Sequence, residues 1–454
     1  MTAEISRLME LVDAAADEVV RLTQDLVRIP TVNFGTPESG DEMAAATFLR
    51  DKLAEDGIDA TIYAASENRG NLVATLGDGN GPRLLFMSHT DVVPVEDPDQ
   101  WTYPPFSGEI ADGRIWGRGA SDMKGTVAAQ AMALILLKRA GVPLKGTLTF
   151  ATCADEEAGG AYGFGWMAKH HPDVLRADFA VNEGGGGPVR HDGRLIYPIS
   201  TGEKGRLEIH IRIRGRGWHA SQPWRADNAI YKAEEVIRRI RAWRPEVSTR
   251  AEIFQHLDTL AGITEPVTDE NIDQVLAELE KRNPNLASML RAASRMTLVA
   301  TMIQAGVKSN SVAESCTIIC DVRSLPWQDV EYVRRQVAGI LEGLDGVSFE
   351  VIETAVSNAS PYDSPFREAV EAATRDAIGV DDIAFVPGIS VGFTDSRFVR
   401  PLGNVTYGFV PSAPTDDPSR SGAHNINESI GIDSVIAATK FHVALAYRLL
   451  TRTS

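Results

Sequence analysis

The sequence predicts an α/β protein: a doubly wound, mostly parallel sheet interrupted by an inserted βαββαβ domain. Three observations lead there. Apolar runs that read as buried strands alternate with stretches of helical periodicity through the first part of the chain. Near Gly202 the pattern changes, and Leu207, Ile209, Ile211 and Ile213 alternate with Arg206, Glu208, His210 and Arg212, as a half-solvated antiparallel strand requires. From about Ala355 the first character returns, so the first domain is discontinuous.

In chain order, Leu8, Leu11, Val12, Val19, Val20, Leu26 and Val27 fall at helical spacing, predicting one helix over 4–27 that stops at Ile29-Pro30. A second helix is expected over 41–56, then strands near 59–64 and 71–76. The run "LLFMSHTDVVPV" (Leu84 to Val95) reads as a buried strand broken off by polar residues. A helix over 125–140 and strands over 146–153 and 177–182 complete the first half. The second domain supplies the alternating strand 206–214, a helix over 227–243, strands near 297–303 and 316–322, a helix over 330–344 and a strand over 347–351. That is a β-α-β-β-α-β order. Residues 245–295, polar and helix-prone, read as a helical insertion. The domains are thus 1–202 with 355–454, and 203–354.

Composition excludes several functions. A chain of 454 residues, 43% hydrophobic and 24% charged, buries a large core and is too long for one ordinary domain. A net charge of −17 with no Lys/Arg-rich block argues against nucleic-acid binding. No run of about 18 apolar residues occurs and the N-terminus lacks an apolar signal core, so no membrane span and a cytoplasmic location are expected. Cys153, Cys316 and Cys320 are too few and too ill-spaced for a disulfide framework or a thiolate zinc site, so any metal would be held by His and carboxylates.

Such a set exists. Strand ends deliver His89 with Asp91, Glu156-Glu157 in "TCADEEAGG" and Glu183 in "AVNEGGGG", and the Gly-rich loop "GRGASDMKG" adds Asp122. In open α/β sheets ligands bind outside the carboxyl ends of the strands, and carboxylates crowded there repel unless cations separate them. Mixed His and carboxylate donors suit zinc, manganese or cobalt better than calcium. His424, in "SGAHNINES", is the best second imidazole for a two-ion site. Each residue alone has a bland alternative: His89 as a hydrogen-bonded structural residue, Asp122 as a helix N-cap, Glu156-Glu157 as a solvated turn. His170, His171, His191, His210, His256 and His442 keep the structural reading.

Together, "SHTDVVPV", "GRGASDMKG", "DEEAGG", "NEGG" and "GAHN" resemble the M20 metallopeptidase family, in the family's order and over essentially the whole chain. That family includes acetylornithine deacetylase, succinyl-diaminopimelate desuccinylase, aminoacylase-1 and glutamate carboxypeptidases. The resemblance implies one ion on His89 and Glu183, another on Glu157 and His424, and Asp122 bridging them; zinc is favoured, with cobalt or manganese as options. It also implies Asp91 behind His89, Glu156 as general base and a cis peptide after Asp122. His219 in "GRGWHASQP" matches the family's oxyanion-binding lid histidine, commonly offered to a partner subunit, so a homodimer through the lid domain is expected. Asn310 and Arg323 stand where relatives grip a substrate carboxylate, and "GFTDSRF", with Thr394, resembles a substrate loop. Trp218, beside His219, is bulkier than the pattern leads one to expect.

The implied reaction is hydrolysis of the amide in an N-acyl amino acid or small peptide. Glu183 points to the deacylase and carboxypeptidase branch, because dipeptidase relatives tend to have Asp there. A broad dipeptidase or a catabolic amidohydrolase is the alternative. A non-catalytic dimeric binding protein is a further one, opposed by the presence of every ligand and of Glu156.

Overall fold

The computed structural model describes residues 2–36 and 38–451; the remaining residues of the expected first domain, at the termini and at 37, lie outside it. The chain forms two compact units: Met1–Thr201, Ser360–Gly388 and Thr394–Ser454 in one, Gly202–Ala359 and Ile389–Phe393 in the other.

The first unit opens with two helices, Ala3–Ala14 and Ala16–Val27, where periodicity predicts one. The interruption is at Ala15 (φ −95°, ψ 7°). Ile5, Leu8, Met9 and Val12 are buried before it and Val19, Leu22 and Leu26 after it, but no side chain from Asp13 to Glu18 is fully buried. The apolar stripe therefore continues in register while nothing packs at the joint to hold the helix straight. No Gly or Pro marks the break.

Nine strands follow: β1 (Ala60–Ala64), β2 (Gly70–Gly77), β3 (Arg83–His89), β4 (Glu109–Ala111), β5 (Arg114–Trp116), β6 (Thr147–Cys153), β7 (Phe179–Asn182), β8 (Val189–His191) and β9 (Arg194–Glu203). β3 runs parallel to both β6 and β7, with His89 opposite Cys153. β3 is buried from Leu84 to His89, as expected of a parallel strand covered on both faces. The Gly125–Arg139 helix is buried from Gly125 to Leu137. Its sequence AAQAMALILL is apolar all round, which suits a helix enclosed in the core. β1, β2 and β6 pair antiparallel on the other margin.

The second unit is an antiparallel sheet of β10 (Arg206–Arg214), β11 (Thr297–Ala305), β12 (Ser315–Arg323) and β13 (Val347–Ala355), in the order β11-β12-β10-β13. Leu207, Ile209, Ile211 and Ile213 are buried and pack with Val236, Val333 and Val337 of the Ala229–Ala242 and Val330–Leu341 helices. Among the described residues β11 pairs only with β12, and Val299, Met302 and Ile303 on it are more than half exposed. Between Ala242 and Thr297 lie the helices Leu257–Ala261, Ile272–Glu280 and Pro284–Ala293. Lys204 is buried and donates from Nζ to the carbonyls of Ala292 and Arg295, 2.7 Å each, at the end of the last of these. The two residues of β14 (Asn358–Ala359) pair with Gly202 and Glu203.

The chain then returns to the first unit with the Pro365–Ile378 helix, β15 (Ile383–Ser390), β16 (Val405–Gly408), β17 (Ser429–Gly431) and the Ile432–Leu450 helix. β16 inserts between β7, to which it is parallel, and β9, to which it is antiparallel. β8 and β15 also pair with β9. The central run β6-β3-β7-β16 is therefore parallel, with antiparallel strands on both margins. β17 pairs with β5, which pairs with β4, forming a small separate sheet.

Candidate metal centre

Because β3, β6 and β7 are parallel neighbours, their carboxyl ends open on one side. β3 ends at His89, β6 at Cys153 three residues before Glu156, and Glu183 directly follows β7. The loop 117–122 and the segment before β17 are brought to the same place by the small sheet, where Ser429 pairs with Trp116.

One carboxylate faces two imidazoles. Asp122 Oδ1 lies 3.3 Å from His89 Nε2, and Asp122 Oδ2 lies 3.2 Å from His424 Nε2. Glu183 stands 3.6 Å from His89 Nε2, and Glu157 3.1 Å from His424 Nε2. Two donor groups result, His89/Asp122/Glu183 and Asp122/Glu157/His424, sharing Asp122. All five side chains expected as ligands are gathered. The Asp122-Met123 peptide is cis.

The electrostatics are those of too many carboxylates. Burial pushes Glu156 well above its ordinary range, and the Glu183 charge adds to it. Glu183 is raised likewise by burial and by Asp122. Burial works against protonation of His89, but Asp122 and Asp91 outweigh it and hold the imidazole well above its ordinary value. Asp122 and Glu157 push His424 up to about 10. Burial opposes ionisation of Asp122, yet the two imidazoles hold it far below the usual carboxylate range. His89 Nε2 is buried and among the described residues makes no hydrogen bond, although carboxylate oxygens flank it. A ring nitrogen that faces only carboxylate oxygens suits coordination to a cation, and the mixed donor set fits a borderline divalent metal.

Behind the ligands, His89 Nδ1 is 3.0 Å from the backbone carbonyl of Asp91 and 3.4 Å from its carboxylate. Periodicity and spacing gave no sign of two other supports, Glu428 and Asn33. Glu428, buried, accepts from the backbone N–H groups of Gly119 (2.9 Å), Ser121 (2.9 Å) and Asp122 (3.0 Å) and from Arg118 Nη1 (2.7 Å). It clamps the loop carrying Asp122. Asn33 hydrogen-bonds Asp91. Asp395 is buried with neither carboxylate oxygen hydrogen-bonded among the described residues, and burial pushes it up to about 7. The motif "GAHNINES" held the only clue to Glu428, as an acid four residues after His424.

Other expected residues are placed as follows. Thr394 belongs to the same unit; it is buried and its hydroxyl is engaged by Asn182 Nδ2 (3.2 Å) and Ser396 Oγ (2.9 Å). His219, Asn310 and Arg323 lie on the second unit. His219 is exposed and its Nδ1 meets Ser221 Oγ at 2.7 Å. Asn310 is exposed and its carbonyl accepts from Ala220. Arg323 Nε donates to Asp321 at 2.9 Å. Trp218, half-exposed, carries Arg225 stacked 4.2 Å over its ring. Among the structural histidines, His442 is buried, bonded to Ala438 and lowered by burial to about 4. Cys153, Cys316 and Cys320 are free thiols.

Known proteins are similar to this chain in sequence and in fold. A protein from Staphylococcus epidermidis named probable succinyl-diaminopimelate desuccinylase is 25% identical over 424 residues, covering 92% of this chain and 94% of its own. A succinyl-diaminopimelate desuccinylase of Paracoccus denitrificans is 29% identical over 390 residues, 84% of this chain and 87% of its own. The crystal structure of an M20 family metallo-carboxypeptidase from Sulfolobus solfataricus shares the fold with a TM-score of 0.71 at 20% identity, over 96% of this chain and 99% of that one. A Bacillus subtilis protein described as a dinuclear metal binding peptidase from the M20 family does so with a TM-score of 0.61 at 17% identity, over 96% and 99%. The model of peptidase family M20/M25/M40 matches residues 85–448, a span that contains His89, Asp122, Glu156, Glu157, Glu183 and His424. The chain belongs to peptidase family M20/M25/M40 and is a hydrolytic enzyme.

Proposed function

We propose that this enzyme hydrolyses the amide bond of an N-acyl amino acid or small peptide, in the manner of a deacylase or carboxypeptidase, using two divalent metal ions. The observation that carries the reading is Asp122, whose two oxygens face His89 and His424 separately at 3.3 and 3.2 Å. His89 and Glu183 would hold one ion, Glu157 and His424 the other, with Asp122 between them. Zinc is the favoured metal, cobalt and manganese the alternatives. Bound there, such ions would polarise the scissile carbonyl and make a water acidic enough to lose its proton near neutral pH.

The chain's own groups do the rest. Glu156 is the general base: it takes the proton of the attacking water and returns it to the leaving nitrogen. His219 donates a hydrogen bond to the developing oxyanion, across a homodimer in which each lid serves the partner's site. Support for the dimer is the open edge of β11, where Val299, Met302 and Ile303 are exposed and Ile303 lines one hollow with Ile230 of the Ala229–Ala242 helix. Arg323 and Asn310 bind a free carboxylate on the substrate, in keeping with the desuccinylase and carboxypeptidase names of the relatives. Among the described residues no helix is long and apolar enough to cross a membrane.

The test is Glu156→Gln. It is expected to keep two metal ions per chain by elemental analysis while turnover of N-acyl amino acids falls by at least about 100-fold, the scale of a lost general base. Near-normal turnover would remove Glu156 from the mechanism, and a wild-type chain that binds no divalent metal would overturn the proposal as a whole.

A further inference from the structure

Asp91 is not spent mainly on the histidine it follows. Its backbone carbonyl, at 3.0 Å, is the nearer partner of His89 Nδ1, and its carboxylate is committed to the other side of the site. Oδ1 accepts the backbone N–H of Glu156 at 3.0 Å and Oδ2 that of Glu157 at 3.1 Å. These residues open the single 3-10 turn Glu156–Ala158. The residue before it, Asp155, is left-handed (φ 68°) and supplies no side-chain cap. A turn this short has no means of satisfying its first N–H groups, and Asp91, distant in sequence, caps it.

A capping carboxylate is only as well placed as its own donors. Asp91 Oδ2 has one further donor, Asn33 Nδ2 at 3.0 Å, and the same amide nitrogen donates to Asp155 Oδ1 at 3.0 Å. A neutral amide thus separates two buried carboxylates, each with a separate N–H. Asn33 is itself fixed: it is 4% exposed, and its Oδ1 accepts from Gly35 N–H (2.9 Å), Arg69 Nη2 (3.2 Å) and Ser39 Oγ (3.2 Å). Arg69, also buried, is paired with Glu42. The chain of contact runs from Arg69 through Asn33 and Asp91 to the backbone of Glu156 and Glu157.

We propose that Asn33 is a positioning residue for the Glu156-Glu157 turn, acting through the Asp91 carboxylate, and that it governs the Glu157/His424 metal site and the general base while leaving the His89/Glu183 site to the Asp91 carbonyl. This rests on the roles given above to Glu156 and Glu157. Within Asp91 the carbonyl is the nearer partner of His89 Nδ1, at 3.0 Å against 3.4 Å for the carboxylate, while the carboxylate alone caps the Glu156-Glu157 turn.

The experiment compares Asn33→Ala, Asp91→Ala and the double variant in the full chain, reading hydrolysis, cobalt bound per chain against a competing chelator, and urea stability without metal. Asn33→Ala is expected to lower kcat by about 10- to 100-fold with KM within about threefold, the range of lost supports behind metal ligands. One of its two cobalt ions should leave at about tenfold lower chelator. Adding Asn33→Ala to His89→Ala should loosen the remaining ion; adding it to His424→Ala should not. In the Asp91→Ala background the substitution should have little further effect on activity or cobalt binding, and the two stability losses should be less than additive, the Asn33 bonds to Asp155 and Arg69 still being lost. Equal loosening of both ions, no loosening, or a full-sized effect without Asp91 would overturn the proposal. Should Asn33→Ala not fold, Asn33→Ser, which keeps one donor, carries the same comparison. A wild-type chain that binds no cobalt would instead refute the metal reading, and the urea cycle would still report whether Asn33 acts through Asp91.

Discussion

Glu428→Gln should be among the most damaging single substitutions outside the ligands themselves. The carboxylate is 1% exposed and accepts four donors, three of them backbone N–H groups in the loop that carries Asp122 and the fourth the equally buried Arg118. Glutamine keeps the shape but presents an NH2 group to donors and leaves the Arg118 charge without its counter-ion. Breaking a buried ion pair costs about 3–5 kcal/mol, and each buried donor left unpaired about 1–3 kcal/mol. Arg118 has a second acceptor in the Pro94 carbonyl at 3.4 Å, and the remaining Oε1 can keep one or two of the N–H groups, so the ion-pair figure with nothing added for the donors is the better guide. The expected loss is about 3–5 kcal/mol, measured by urea unfolding of the metal-loaded protein at 25 °C. Metal affinity should fall with it, because Asp122 loses the restraint on its own N–H. A loss below about 1 kcal/mol with metal content unchanged would refute the claim that this carboxylate holds the loop.

The Lys204 side chain gives a prediction in pH. Burial, aided by the Arg323 and Arg295 charges, lowers it to about 7, whereas in the unfolded chain it titrates near about 10. Between these values unfolding takes up a proton, so stability should rise with pH, by about 2 kcal/mol from pH 7 to 9. Lys204→Met should remove that slope; a wild type that is flat or falling, with a variant that matches it, counts against the buried neutral amine. Met302→Glu on the open edge of β11 should convert a dimer to monomers by light scattering with the fold intact by circular dichroism; a monomeric wild type would rule the dimer out. Replacing the substrate carboxylate by an amide should reduce kcat/KM by about 100-fold in wild type and far less in Arg323→Ala. Equal cleavage of acid and amide by wild type would favour a broad dipeptidase or catabolic amidohydrolase instead.

What could be read in the sequence was local or periodic. The alternation Arg206–Arg214 sets Leu207, Ile209, Ile211 and Ile213 inward because a strand's side chains have a period of two, and the structure buries those four. The apolar runs ending at His89 and Cys153 are buried parallel strands, and their motifs bring the five donor side chains to one end of the sheet. What stayed hidden depends on partners far away in sequence. Glu428 meets the Asp122 loop across more than 300 positions, and beyond its place four residues after His424 nothing in its neighbours distinguishes it from a surface acid. Asn33 lies in a polar stretch that reads as a plain turn. The break at Ala15 is a property of packing, since the residues there are good helix formers. The strands β4, β5 and β17 are three residues each, too short for any period to show.

The place of β16 bears on how the protein is made. It lies between β7 and β9, although it is synthesised after the whole second unit. At about 5–20 residues per second, about 10–45 seconds pass on the ribosome between the completion of β7 and the arrival of the strand that belongs beside it. Through that interval the parallel sheet has a missing member, and the Ile432–Leu450 helix, whose Val443, Leu445 and Leu450 join the same core, is later still. His424 is the last of the five donors to emerge. The nascent first unit therefore presents an open strand edge and an unfilled core to the cell for longer than the second, where β10 waits about 100 residues for β12 and about 130 for β13. Chaperone dependence and aggregation during synthesis should map to the residues before Thr201.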